Sequence, residues 1–136
     1  MSRREAFRVA SFFSGIGGLE LGFERAGFEV TFQCEIDAFC NSILEKHWPN
    51  APRFNDVKKI ASGAAVPDSD VWIGGFPCQD VSLARMGPRA GLRGSRSGLF
   101  SDFARLLGDS HPRVFVIENV PGLLSSNRGR DFGVVI

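Results

Sequence analysis

Val71-Trp72-Ile73-Gly74-Gly75-Phe76-Pro77-Cys78-Gln79-Asp80-Val81-Ser82 is the stretch that decides how this chain folds. Val71 to Ile73 predict a short buried strand, and Gly74 and Gly75 remove side chains where another backbone or a flat ring can come close. The thiol of Cys78 is then presented just beyond a strand end. Further along, Val114-Phe115-Val116-Ile117 predicts another apolar strand, and it runs into Glu118-Asn119-Val120-Pro121. In a parallel sheet the carboxyl ends of the strands share one edge, which is where ligands bind. A nucleophile and an acid then face one crevice.

The rest of the chain has the alternation that such a sheet requires. Phe7 to Phe13 predicts a first strand, followed by the turn Ser14-Gly15-Ile16-Gly17-Gly18 and a helix carrying Leu19, Leu21, Phe23 and Ala26, closed by Gly27. Phe28 to Cys34 predicts a second strand ending in Glu35-Ile36-Asp37, and Ala38 to His47 has helical spacing that stops near Pro49. A weak third segment begins at Phe54 and ends at Asn55-Asp56. Ala61 to Ser69 reads as a surface connection, Leu83 to Ser97 as a glycine- and arginine-rich loop, and Leu99 to Leu107 as a helix with Phe100, Phe103, Leu106 and Leu107 on one side. Strands alternating with helices imply an open α/β sheet of about five parallel strands. The sequence stops on the apolar run Val134-Val135-Ile136.

With 136 residues and 43% hydrophobic content, the chain fits one domain with a real core. No run approaches the roughly 20 apolar residues of a membrane span, and Met1 to Glu5 lacks the apolar stretch of a secretory signal. A cytoplasmic protein is expected, or a nuclear one in a nucleated cell. The net charge of +1 hides a basic stretch in which Arg85, Arg89, Arg93, Arg96 and Arg105 are interrupted by a single acid, Asp102. Such a segment in a neutral chain suggests a polyanion contact confined to one face. Three cysteines without a C-x-x-C pair, and only two histidines, support neither a disulfide framework nor a metal site. Cys34 and Cys40 read as small core residues.

Each candidate site has a plain structural alternative. The glycine turn leaves room for a cofactor beside a helix N-terminus, which favours a negatively charged group. Its spacing is not G-x-G-x-x-G, however, and a tight turn needs glycine for its own reasons. Glu35 lies about 20 residues on, at the end of the second strand, where a ribose hydroxyl pair is usually held. Asp56 could accept from an adenine amino group, and either acid could instead be a solvated strand end. Cys78 could be a structural thiol or a metal ligand, but its glycine-rich, polar surroundings suit a reactive one. Glu118 could be an ordinary strand-end acid, although Asn119 and Pro121 suggest a turn that fixes it. Glycines 87, 91, 94 and 98 among arginines predict either a solvated surface segment or a positively charged flap that closes on a phosphate backbone.

Taken in order, these residues resemble the DNA cytosine-5 methyltransferases. Phe13-Ser14-Gly15-Ile16-Gly17-Gly18 is similar to the family's cofactor turn, Pro77-Cys78-Gln79 to its catalytic motif, Glu118-Asn119-Val120 to its acid motif, and Arg96-Ser97-Gly98-Leu99-Phe100 to the segment after its loop. The resemblance implies a Rossmann-like, S-adenosylmethionine-dependent methyltransferase fold. It also implies that Phe13, Gly15, Gly17, Gly18, Glu35, Ile36, Asp56, Val57 and Pro77 hold the donor. Gln79, Ser82, Arg93, Arg96, Asn119 and Val120 are implied to contact DNA, with Cys78 and Glu118 catalytic.

Two departures accompany it. Ser11 stands where many members carry an aspartate. The family's Gln-x-Arg-x-Arg motif, target-recognition region and C-terminal cofactor motif have no counterpart in residues 1–136. The chain therefore reads as the N-terminal part of a catalytic domain. It would act with a complementary subunit or remain as an inactive or regulatory fragment. A nicotinamide-dependent oxidoreductase would account for the glycine turn and Glu35, but it gives no role to Cys78 with Glu118.

Overall fold

The computed structural model describes residues 6–77 and 99–136. Cys78, Gln79, Ser82, Arg93 and Arg96 lie outside the described residues. Five strands, β1 (Arg8–Phe12), β2 (Glu29–Cys34), β3 (Arg53–Phe54), β4 (Val71–Gly74) and β5 (Val114–Ile117), form one sheet in the order β3-β2-β1-β4-β5. Every neighbouring pair is parallel. The expected α/β architecture is therefore present, with β3 shorter and one residue earlier than the sequence pattern suggests.

β1 is central, and Val9 to Phe12 are buried on both faces, as the near-continuous apolar run of a parallel strand requires. Alternation sorts its side chains between two layers. Ala10 and Phe12 join Phe32, Trp72, Phe103 and Leu106 in one cluster, whereas Val9 joins Val71 and Ile73 against Phe23 and Phe28. The Phe12 ring lies 4.7 Å from that of Trp72 and 5.0 Å from that of Phe103. Helix α3 (Leu99–Ser110) covers this first face, and α1 (Gly18–Arg25) covers the other.

Local chemistry sets the helix ends. Gly27 takes φ 89°, and the amide of Phe28 donates to the carbonyl of Phe23 while their rings meet edge-on at 5.1 Å. This is a left-handed glycine stop sealed by an apolar contact. Helix α2 (Ala38–His47) is N-capped by Asp37, whose carboxylate accepts from the Cys40 amide at 2.8 Å. After β5 come two short helices, α4 (Gly122–Ser125) and α5 (Arg130–Val135).

The chain passes from β1 to β2 on one side and returns to β4 on the other, so the order reverses beside β1. A crevice opens at such a reversal, beyond the carboxyl ends of the strands. At the far edge β5 pairs only with β4 among the described residues, and Val114 and Phe115 remain 51% and 54% exposed. No described helix is long and apolar enough to cross a membrane.

Candidate functional site

β1 gives way at once to Phe13, a non-glycine residue at φ 55°, and the backbone then turns through Gly15 and Gly17, both at positive φ. The Ser14 amide donates to the Cys34 carbonyl at 3.1 Å, which ties this turn to the end of β2. The glycines do different work. A Cβ at Gly17 would stand 2.4 Å from the Trp48 ring, so this glycine serves the packing of α1 on α2; Cβ atoms at Gly15 and Gly18 would meet nothing within 4 Å. The turn is thus structural at Gly17 and open at Gly15 and Gly18.

Glu35 is joined to that turn. One carboxylate oxygen accepts from the Gly15 amide at 2.7 Å and the other from the Asp37 amide at 2.8 Å. A carboxylate offers about four lone-pair sites, so acceptor capacity remains for a ligand hydroxyl. Asp56 caps the short 3-10 turn Val57–Lys59 by accepting from the Lys58 amide at 3.0 Å. Between these acids lies a cleft of about 150 Å³ lined by Phe13, Cys34, Glu35, Ile36, Asp56, Val57, Gly75, Pro77 and Leu99. A larger hollow of about 390 Å³ lies near Ser69, before β4 begins, and so at the opposite end of that strand from Pro77.

The cleft brings together Phe13, Glu35, Ile36, Asp56, Val57 and Pro77 from the residues singled out in sequence. It also takes in Gly75, from the glycine pair after Ile73, Leu99, from the segment Arg96 to Phe100, and Cys34, which the sequence offers only as a core thiol. Cys34 is buried in the core and also lines the cleft, and its burial, followed by the negative charges of Asp56 and Glu35, pushes the thiol up to about 12. Cys40, by contrast, is only partly buried and is not a core residue. Arg105 also departs from its sequence reading. It donates to the carbonyls of Ile60 and Ala61 at 3.0 and 3.1 Å, so it anchors α3 to the connection before β4.

Beyond the cleft, the acid at the end of β5 meets the end of β4. The Glu118 amide donates to the Gly74 carbonyl at 3.0 Å, and a Cβ at Gly75 would stand 2.9 Å from Glu118 Oε2. The Asn119 side chain is engaged at both ends: Nδ2 donates to the Phe76 carbonyl at 3.3 Å, and Oδ1 accepts from the Val120 amide at 2.8 Å. Val120 is exposed beside them. An open glycine turn, two acids, an apolar cleft and a third carboxylate therefore share one end of the sheet. Among the described residues, no group of three or more His, Cys, Asp or Glu could hold a metal ion.

The family model described as C-5 cytosine-specific DNA methylase matches residues 7–136. Among curated relatives, Type II methyltransferase M.NgoFVII of Neisseria gonorrhoeae is 36% identical over 130 residues, covering 95% of this chain and 34% of the relative. Type II methyltransferase M2.BsuMI of Bacillus subtilis is 39% identical over 127 residues, covering 90% of this chain and 31% of the relative. The solved structure of the Entamoeba histolytica methyltransferase EhMeth shares the fold with a TM-score of 0.75 at 23% identity, over 97% of this chain and 42% of that one. The chain thus spans about a third of the length of the curated relatives it matches.

Proposed function

Because the chain belongs to the C-5 cytosine-specific DNA methylase family, we propose that it carries the donor-binding and bond-making part of a cytosine-5 DNA methyltransferase. The observation that carries this reading is that Glu118 Oε2 stands 2.9 Å from where a Gly75 Cβ would lie, while Gly75 also lines the cleft. One glycine thus borders both the cleft and the acid.

The residues fit S-adenosylmethionine. The cleft of about 150 Å³, with the apolar Phe13, Ile36 and Pro77 in its lining, would take the purine ring, with Asp56 available to its amino group and Glu35 to the ribose. The remainder of the donor would lie along the open backbone at Gly15 and Gly18, where its carboxylate gains from the N-terminus of α1. When bound, the donor supplies an electrophilic methyl group.

Cytosine C5 is a poor nucleophile. In the proposed reaction the Cys78 thiolate adds to C6, and the electron pair pushed into the ring makes C5 attack the methyl group. Glu118 hydrogen-bonds N3 and the exocyclic amine, stabilising charge as the sulfur adds. Loss of the C5 proton returns the pair to the ring and expels the thiolate. C6 is inaccessible in a stacked duplex, so the base must be flipped out, at a cost of a few kcal/mol offset by contacts from Gln79, Ser82, Arg93 and Arg96.

The family's region that reads base edges has no counterpart in residues 1–136, so the reaction is tested with that region supplied on a second polypeptide. The exposed outer edge of β5 offers it a place to dock. The test is to mix the chain with a polypeptide bearing the remaining family motifs, supply labelled donor and DNA, and digest the product. Label in 5-methylcytosine that requires both polypeptides supports the reading. Label confined to an exocyclic nitrogen, or no transfer, overturns it.

A further inference from the structure

The resemblance places Asn119 against DNA, and the fold also engages one N–H and one lone pair of its amide within the chain. Nδ2 donates to the Phe76 carbonyl at 3.3 Å, and Oδ1 accepts from the Val120 amide at 2.8 Å. We propose that Asn119 is a positioning residue, a strap that fixes the segment leading from β4 to Cys78 against the acid-bearing end of β5. The inference rests on the methyltransferase reading above.

Two links join these strand ends, and they differ in kind. The Glu118 amide to the Gly74 carbonyl, at 3.0 Å, is the last rung of the sheet ladder and uses backbone alone. Past that rung the β4 chain has left the sheet, with Gly75, Phe76 and Pro77 outside any strand. Asn119 to Phe76 is a side-chain bond that continues the attachment after the ladder has ended. Phe76 is itself buried against Phe100 and Leu123, so its ring and its carbonyl are both held. Cys78 follows two residues later in sequence. A buried ring and a side-chain bond at Phe76 therefore set where the following residues start, relative to Glu118.

The second bond of Asn119 makes the strap rigid. By accepting from the next amide in the chain, Oδ1 fixes the side-chain torsions, so that Nδ2 is aimed without further ordering cost. A residue at this position must donate to one side and accept from the other. An amide does both, whereas a carboxylate of the same shape does not.

Two variants isolate the strap. Asn119→Asp keeps the acceptor for Val120 but faces the Phe76 carbonyl with an oxygen, and Asn119→Ser is too short to reach it. In the 136-residue chain alone, the rate at which N-ethylmaleimide alkylates Cys78, read by peptide mass spectrometry, should differ about threefold or more from the parent in both variants. Cys40, on α2, should react as before. In the complemented enzyme, turnover should fall about 10²-fold, as expected of a misplacement near 1 Å, with the KM for the donor unchanged. Unchanged Cys78 alkylation in both variants overturns the strap whatever the reaction. A loss carried by donor KM, or an equal change at Cys40, overturns it in favour of general damage to the fold. Failure of the parent to methylate, with the alkylation difference intact, counts against the methyltransferase reading alone.

Discussion

The carboxylate of Glu118 occupies the space into which any side chain at Gly75 would project, with Oε2 standing 2.9 Å from the position of a Gly75 Cβ. Gly75 also forms part of the wall of the cleft proposed to hold the donor. One glycine thereby borders both the acid and the cleft.

Gly75→Ala tests this arrangement. The atom it would strike is the far end of a flexible side chain, so Glu118 can swing aside and the fold survives. The displaced carboxylate can no longer meet the base, and methyl transfer by the complemented enzyme should drop about 10²-fold, approaching the loss for Glu118→Gln. The double variant should be scarcely slower than either single one, because both act on the same group. Full activity in Gly75→Ala, measured beside its thermal midpoint, would detach Glu118 from this geometry.

Glu35 carries two loads at once. Its removal would cost the acceptor proposed for the donor's ribose and would also free the Gly15 and Asp37 amides that it binds at 2.7 and 2.8 Å. Each charge-assisted bond is worth about 1.5–3 kcal/mol, so Glu35→Ala should weaken adenosylhomocysteine binding by more than about tenfold. DNA affinity should be unchanged. Calorimetry for the donor product and a filter assay for DNA, both on the complemented enzyme, separate the two.

Cys34 gives the chain a titration that can be followed. Its thiol would ionise near 9.0 when unfolded, but burial, then Asp56 and Glu35, hold it protonated up to about 12 in the folded state. The folded state binds the proton more tightly, so this contribution is complete below the unfolded value of 9.0 and is lost as pH climbs toward about 12. Urea midpoints of the parent should decline more steeply across that window than those of Cys34→Ala. Parallel slopes would show that the thiol is not shielded.

Much of this organisation is visible in the bare sequence, and the exceptions have physical causes. Val71 to Ile73 and Val114 to Ile117 announce themselves because strands buried in a parallel sheet are apolar runs, and Glu35 does so by following one. Gly17 does not. Its need for glycine comes from Trp48, a residue 31 positions away, whose ring reaches it only once α1 and α2 have packed. Leu99 and Cys34 enter the cleft for the same reason, since strand and helix patterns say which face is apolar but not which residues meet at a strand end. Arg105 reads in the sequence as one more cation of a basic stretch facing a polyanion. Only the fold brings it to the carbonyls of Ile60 and Ala61.

The β5 edge should be adhesive. Val114, Phe115, Val116 and Ile117 carry no charge or proline, and Phe115 is 54% exposed. Unguarded apolar edges pair with other chains. Phe115→Lys should lower self-association of the isolated chain in sedimentation velocity, and it should weaken complementation as well. Unaltered behaviour in both assays would remove β5 from any interface.

In the proposed reaction Cys78 forms a covalent bond to cytosine during methyl transfer. DNA carrying 5-fluorocytosine at the target tests it directly, because fluorine at C5 cannot leave as a proton does, and the thiol stays attached. Incubated with donor and the complemented enzyme, such DNA should yield a denaturation-resistant adduct on the 136-residue chain, mapped to Cys78 by peptide mass spectrometry and absent from Cys78→Ser. An adduct that persists in Cys78→Ser, or methyl transfer that proceeds without one, would rule out Cys78 as the nucleophile.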